Sequence, residues 1–254
     1  MPGKETDETI LGAIVPHAGY SFSGPCAAWI YKAIAESKKP DFFIILGANH
    51  HTQENVLTQE TFDTPFGYVR VEQEFCRKLL EKGHIKADDE AHQKEHSIEV
   101  QIPFLQFIYG DHPEKVKIIP ILVGSETNIK ELGVDIKEVL MESGKTAIII
   151  ASSDFTHYGR NYHYIPFSSD IPQQIYDFDK EAIEFIKEQN PEGLLDFCDK
   201  NSATICGANA IALLLYSIAQ SKVLLEQYYI SGDLNNDYKN TVSYAGILLS
   251  LIHI

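Results

Sequence analysis

Phe42-Phe43-Ile44-Ile45-Leu46-Gly47-Ala48-Asn49-His50-His51 decides how the rest of the chain reads. Five apolar residues rich in Ile and Phe are too few for an ordinary helix and fit a strand buried on both faces, as in a parallel sheet. Gly47 then frees the backbone, and two histidines arrive where that strand must stop. In open α/β sheets ligands bind beyond the carboxyl ends of the strands. Imidazole is also the commonest neutral metal ligand near pH 7.

The same pattern recurs. Ile10 to Val15 stops at Pro16-His17-Ala18-Gly19-Tyr20, Ile118 to Val123 at Gly124-Ser125-Glu126, and Thr146 to Ala151 at Ser152-Ser153-Asp154-Phe155-Thr156-His157. Parallel strands would open His17, His50, His51, Asp154 and His157 onto one rim. Pro25 suits a first helical turn, so a helix is predicted over Cys26 to Ser37. Strand, helix and strand then form a right-handed crossover, which places the strands before His17 and His50 side by side. Elsewhere Thr52 to Pro65 reads as loop, Tyr68 to Val71 as strand and Gln73 to Glu81 as helix, whereas Lys82 to Lys94 reads as irregular. Helices are predicted over 97–109, 127–144, 172–189 and 191–199 and again from about Cys206, with closing strands over 223–230 and 242–252. The class is α/β: a single domain over 1–254 with a central, mostly parallel or mixed sheet flanked by helices.

Composition narrows the function. Acidic side chains outnumber basic ones 36 to 21, a net charge of −15, which argues against nucleic acid and anionic membrane surfaces as partners. Met1 to Glu8 has no apolar leader, and no run approaches the length of a membrane helix. Cys26, Cys76, Cys198 and Cys206 lack scaffold spacing, which fits free thiols in a cytoplasmic protein. No phosphate-binding loop, dinucleotide fingerprint or Gly-x-Ser-x-Gly occurs.

Each candidate site residue has a plain reading beside the functional one. A strand-end histidine caps turns as readily as it binds metal; two on neighbouring strands make a ligand pair the equal alternative. His50 and His51 cannot both face one site along an extended backbone, so one is the ligand. Asp154 and His157 read either as an acid/base or orienting pair, or as a cap and a surface histidine. Cys206 at a helix start would favour the metal-binding thiolate, with its pKa lowered by the helix dipole, or else is a small core residue. His92-Gln93-Lys94-Glu95-His96 fits an inverted zinc-protease motif, but its charged, loop-like setting makes a chance match the better reading. His96 at a helix entry is expected to reach the rim, and His92 to face solvent or the loop.

With these pieces in order, the sequence resembles the Memo family, also known as AmmeMemoRadiSam system protein B. The matching stretches are Pro16-His17-Ala18-Gly19-Tyr20, Leu46-Gly47 with His50-His51, Glu95-His96-Ser97-Ile98-Glu99, Ile119-Pro120 with Leu122-Val123-Gly124, Ser152-Ser153-Asp154-Phe155 with His157, Ile205-Cys206-Gly207, and Val242-Ser243-Tyr244-Ala245. That family looks like the class III extradiol dioxygenases, which are non-haem iron enzymes. The resemblance implies a metal set of His17, His50 and Cys206, with His96, Asp154 and His157 lining the same pocket as catalytic residues. It implies a divalent or redox metal, iron first and copper or zinc after it, because a thiolate replaces the dioxygenases' carboxylate. The function so implied is a metal-dependent oxidoreductase acting on an unknown small molecule; the rival is a binding module whose pocket recognises a peptide or protein. Three departures stand out. The segment many relatives carry before the first strand is not matched, so one sheet edge or the start of the chain is expected to differ. Gly47-Ala48-Asn49 replaces a frequent Gly-Pro-Ser, and Ala208-Asn209-Ala210 replaces the His-Pro of some members.

Overall fold

Aliphatic and aromatic runs, each followed by a chain reversal, build one central sheet in the computed structural model, which describes residues 9–110, 116–125 and 128–251. The strands are β1 (Ile10–Val15), β2 (Phe42–Ala48), β3 (Val56–Leu57), β4 (Phe62–Thr64), β5 (Gly67–Val71), β6 (Lys86–Ala87), β7 (Lys117–Val123), β8 (Ala147–Ser152), β9 (His157–Gly159), β10 (Ser221–Ile230) and β11 (Asn240–Leu251). The helices are α1 (Tyr20–Glu36), α2 (Gln73–Lys82), α3 (Asp89–Gln93), α4 (Ile102–Ile108), α5 (Ile129–Ser143), α6 (Ile171–Lys187), α7 (Pro191–Asn201), α8 (Ala208–Ser217) and α9 (Gly232–Asn235).

The main path of the sheet runs β10-β11-β1-β8-β2-β7-β3-β6. Its centre, β1-β8-β2-β7, is parallel, while β11 joins β1, and β3 joins β7, in antiparallel fashion. The parallel centre is buried on both faces. Helix α1 packs on β1, β10 and β11 and against α4; α8 lies on β2, β7 and β8 with α5 and α7 outside it. That is why β2 has no polar side chain before its rim and why α8, Ala-Asn-Ala-Ile-Ala-Leu-Leu-Leu, is apolar nearly all round. The result is a single α/β domain with a mixed sheet.

Several local expectations change. β1 and β2 are not neighbours: β8 lies between them, pairing Val15 with Ser152 on one side and Ala151 with Leu46 on the other. A crossover fixes handedness, not adjacency, and the later strand fills the gap. Helix α1 starts at Tyr20, so Pro25 lies inside it rather than in its first turn. Ser23, buried, donates from its hydroxyl to Ala18 O at 2.7 Å and ties that early turn down. The supposed loop over 52–65 contains β3 and β4, and the supposed irregular stretch over 82–94 contains β6 and α3. Strands of two or three residues carry too little pattern to read. Residues 97–109 form a 3₁₀ turn, Glu99–Gln101, and then α4, with Pro103 in its first turn. The remaining helices and closing strands appear within a few residues of expectation. Met1 to Glu8, Thr127 and Ile252 lie outside the described residues.

Candidate metal centre

Register puts the ends of β1, β8 and β2 level, so whatever follows them shares one rim. His17 follows β1 by two residues and is buried. His50 follows β2 by two residues and is partly exposed. Cys206, just ahead of α8, reaches the same point from the other layer, with its sulfur 3.2 Å from His17 Nε2. Ligand atoms of His17, His50 and Cys206 lie within 4.8 Å of one another.

Hydrogen bonds fix which nitrogen each ring offers. The single Ser152 hydroxyl proton goes to Ser97 O at 2.6 Å, and Gln101 Nε2 donates to the same oxygen at 2.7 Å. His17 Nδ1, 3.1 Å from Ser152 Oγ, must therefore be the donor, which leaves the Nε2 lone pair turned toward Cys206. Burial, opposed by Asp154 and assisted by His50 and His96, pushes the His17 pKa down to about 4, so the ring is neutral at pH 7. His50 Nδ1 is 3.0 Å from both oxygens of Glu95, a carboxylate that only accepts; its Nε2 is again the free ligand atom.

Glu95 is the hub of this half of the site. Its side chain is 1% exposed. It accepts from the backbone N–H groups of His50, His96 and Ser97 at 2.9, 2.8 and 3.0 Å. Burial opposes its charge, but these bonds and the His50 and His96 rings hold its carboxyl far below the usual range. His96 stacks on His50, with centroids 5.4 Å apart and 13° between planes, and stands edge-on to His17. Its hydrogen bond to Glu95 outweighs desolvation and raises its pKa. His50, Glu95 and His96 form a second converging group of ligand-type atoms.

Residues 152–157 form a strap over the carboxyl end of β8 that touches both halves. Ser152 holds the His17 ring, and Ser153 Oγ accepts from Gly207 N–H at 3.0 Å. Asp154 accepts from His17 N–H at 2.8 Å and from Ala18 N–H at 3.2 Å, while its carbonyl faces Cys206 Sγ at 3.6 Å. His157 donates from Nδ1 to Phe155 O and Thr204 O at 3.0 and 2.9 Å, which makes Nε2 the acceptor nitrogen of the neutral ring. Its ring stands edge-on to Tyr162, and it belongs to neither converging group.

Glycine is required where the elements touch. A Cβ on Gly47 would stand 2.5 Å from Ser97 Oγ and 2.6 Å from Ile98 Cγ1. A Cβ on Gly207 would stand 2.5 Å from Ser153 Cβ and 2.7 Å from Ser152 O, backbone that cannot yield cheaply. Gly207→Ala is expected to cost about 1–3 kcal/mol and to push Cys206 away from His17. A fall in melting temperature accompanied by weaker metal binding is the expected readout; unchanged metal binding would contradict it.

Two expectations need correction. Cys206 is not acidified by a helix start: it precedes α8, and burial together with the charge of Asp154 raises its thiol pKa instead. His92 is buried in α3 rather than exposed, its Nε2 3.4 Å from Val56 O, and it belongs to neither converging group. Glu95, Gln101 and Ser152 are not singled out by the sequence. Their only signal was position: Glu95 and Ser152 lie in the stretches that match the family, but a buried acceptor cannot be told from a surface acid by type. His51 does diverge from His50, its Nε2 bonding Lys94 O at 2.7 Å.

The model of the Memo-like protein family matches residues 1–248. The chain belongs to the Memo family. It is 38% identical to a MEMO1 family protein of Desulfurococcus amylolyticus over 93% of this chain and 82% of that one. The corresponding figures are 34%, 94% and 83% for a MEMO1 family protein of Methanopyrus kandleri. For one of Thermococcus kodakarensis they are 36%, 97% and 89%. Among solved structures, an uncharacterized protein, JW3007, of Escherichia coli K12 superposes with a TM-score of 0.61 at 14% identity, covering 96% of this chain and 100% of that chain. At that identity the likeness is one of fold. Among the described residues of this Memo family member, no helix is long and apolar enough to cross a membrane.

Proposed function

We propose that this Memo family member holds one metal ion on His17 Nε2, His50 Nε2 and Cys206 Sγ and uses it as a non-haem oxidoreductase toward a small substrate. The observation that carries the reading is the fixed tautomers: Ser152 and Glu95 each occupy an Nδ1, and both remaining lone pairs converge with a thiol. Two neutral imidazoles and one thiolate form an intermediate-to-soft donor set that fits iron, copper or zinc. Iron is the first choice, on the resemblance of the Memo family to the extradiol dioxygenases. Bound there, iron or copper would supply one-electron chemistry with O₂, and zinc polarisation of a substrate oxygen.

The surrounding residues divide the proton work. His96, favoured in its charged form by Glu95, is the acid, and His157, whose Nδ1 is committed to two carbonyls and so leaves Nε2 to take a proton, is the base. Asp154 orients: it holds the His17–Ala18 backbone and offers no oxygen to either converging group. The four unpaired cysteines support a reducing, cytoplasmic location.

Metal analysis of anaerobically purified protein, followed by O₂-consumption assays over a panel of small substrates, tests this reading. One metal ion per chain with metal-dependent O₂ uptake is expected. Stoichiometric metal without turnover would favour the binding module, in which the same pocket recognises a peptide or protein. Failure to bind any of the three metals would overturn the proposal.

A further inference from the structure

Asp179 is a fully buried carboxylate on α6, and among the described residues no salt bridge reaches it. Its Oδ1 accepts from Thr156 Oγ1 at 2.5 Å, and its Oδ2 from Tyr228 OH at 2.7 Å. Ser243 on β11 and the Thr156 backbone N–H also stabilise its charge, yet burial prevails and lifts the carboxyl to about 6. One side chain therefore ties α6, β10, β11 and the 152–157 strap together. A buried carboxylate satisfied only by hydroxyls and amides is a costly way to stabilise a fold, since neutral groups of the same shape do as well or better. Its position suggests a more specific use.

Thr156 touches no ligand itself, whereas Ser152, Ser153 and Asp154 earlier in the strap reach both halves of the site. Ser152 and Asp154 hold His17, and Ser153 and the Asp154 carbonyl hold the Cys206–Gly207 turn. The strap is pinned at its near end by Ser153 N–H donating to Val15 O at 2.9 Å. Beyond Asp154 it is pinned by β11, where Phe155 N–H donates to Ser243 O at 2.9 Å and Ser243 N–H to Thr156 O at 3.0 Å. His157 ties its far end down, its N–H donating to Thr204 Oγ1 at 2.8 Å, and the Thr156 hydroxyl, donating to Asp179, is the side-chain anchor that links the strap to α6.

We infer that Asp179 is a positioning residue of the metal centre, setting through Thr156 the height of the strap and hence the separation of His17 Nε2 and Cys206 Sγ. This rests on the metal-binding reading proposed above. The Asp179–Tyr228 bond on the far side of the carboxylate braces α6 against β10 and bears on neither ligand.

Two single-hydroxyl deletions from the same carboxylate separate positioning from plain stability. Thr156→Val and Tyr228→Phe each remove one donor to Asp179 and are expected to lower the melting temperature by similar amounts. Only Thr156→Val should weaken Zn²⁺ binding to the full-length, metal-stripped protein, by about 10-fold or more in a chelator competition. Tyr228→Phe should stay within about twofold of the unaltered protein. Asp179→Asn, which keeps an oxygen for Thr156 and lets the Tyr228 hydroxyl turn to accept, should retain most of the affinity, and Asp179→Leu should lose it. If Thr156→Val binds Zn²⁺ as the unaltered protein does, or if both deletions weaken binding equally, Asp179 is merely structural and the inference falls. If the unaltered protein itself fails to bind Zn²⁺, iron or copper, the metal-centre reading has failed before the variants are compared.

Discussion

Replacing Cys206 with serine is expected to weaken Co²⁺ binding to metal-stripped protein by roughly a hundredfold or more and to abolish the sulfur-to-metal charge-transfer band. The size follows from the three-donor set: a structural site worth about 10–16 kcal/mol over four ligands loses about 3 kcal/mol with one of them. Serine keeps the shape of the side chain but stays a neutral hydroxyl at pH 7, so sulfur chemistry rather than packing is removed. Stability without metal should change little, because the near-isosteric serine hydroxyl can keep the polar contacts to His17 Nε2 and Asp154 O. The pH dependence adds a sign. Burial and Asp154 keep the free thiol protonated, so ligation must displace a proton and affinity should rise with pH through the neutral range. His17, already neutral above about pH 4, adds nothing to that slope. In Cys206→Ser the slope should flatten. A variant that binds Co²⁺ with unchanged affinity, band and slope would remove the thiolate from the account.

Glu95→Ala is expected to have the second-largest effect, and to act on two readouts at once. The carboxylate accepts from three backbone N–H groups and from the His50 ring, with His96 Nδ1 3.3 Å away. Its removal leaves buried donors unpaired, at a cost of about 3 kcal/mol or more. It also releases the His50 ring from the tautomer that offers Nε2, for which a 10- to 100-fold loss of metal affinity is typical. The linkage has a definite sign. Because the folded carboxyl is held far below its ordinary value of 4.5, its stabilisation is complete above that value and is lost as pH falls beneath it. Glu95→Ala should therefore flatten the acid limb of the stability profile, measured by urea denaturation at a series of pH values. An unaltered acid limb, or a variant that loses stability yet binds metal normally, would contradict the role given to Glu95.

Asp179 titrates with the opposite sign. Raised from 3.8 to about 6, it weakens the fold as pH rises through that window, by about 3 kcal/mol. Asp179→Asn should lack this term, so its stability relative to the unaltered protein should improve between about pH 4 and pH 7; a constant difference would contradict the buried charge.

The strands before His17 and His50 were legible because strands buried on both faces leave an unbroken apolar signature that loops and surface helices do not. Their order in space was not. β8 begins at Ala147, far along the chain from the ends of β1 at Val15 and β2 at Ala48, and nothing in either run records that it inserts between them. The early start of α1 was hidden by Gly24 and Pro25, whose local preference against helix is overridden by packing on β1, β10 and β11. In the site, residue types with few uses, His and Cys, stood out in the sequence, and the family likeness joined them. Glu95, Gln101 and Asp179 are types that mostly face water, so their burial, and with it their work, appears only when distant segments meet. The Cys206 thiol went wrong for a related reason: helix position was visible, whereas burial and the nearby Asp154 charge, which dominate, were not.

The central claim is that His17, His50 and Cys206 hold a single metal ion. Anomalous diffraction at the metal edge, from crystals of the full chain loaded with iron or zinc, tests it most directly. One peak is expected about 2.0–2.3 Å from His17 Nε2, His50 Nε2 and Cys206 Sγ together. A peak on His50, Glu95 and His96 instead, or fully loaded crystals with Cys206 Sγ outside bonding distance of the ion, would contradict it.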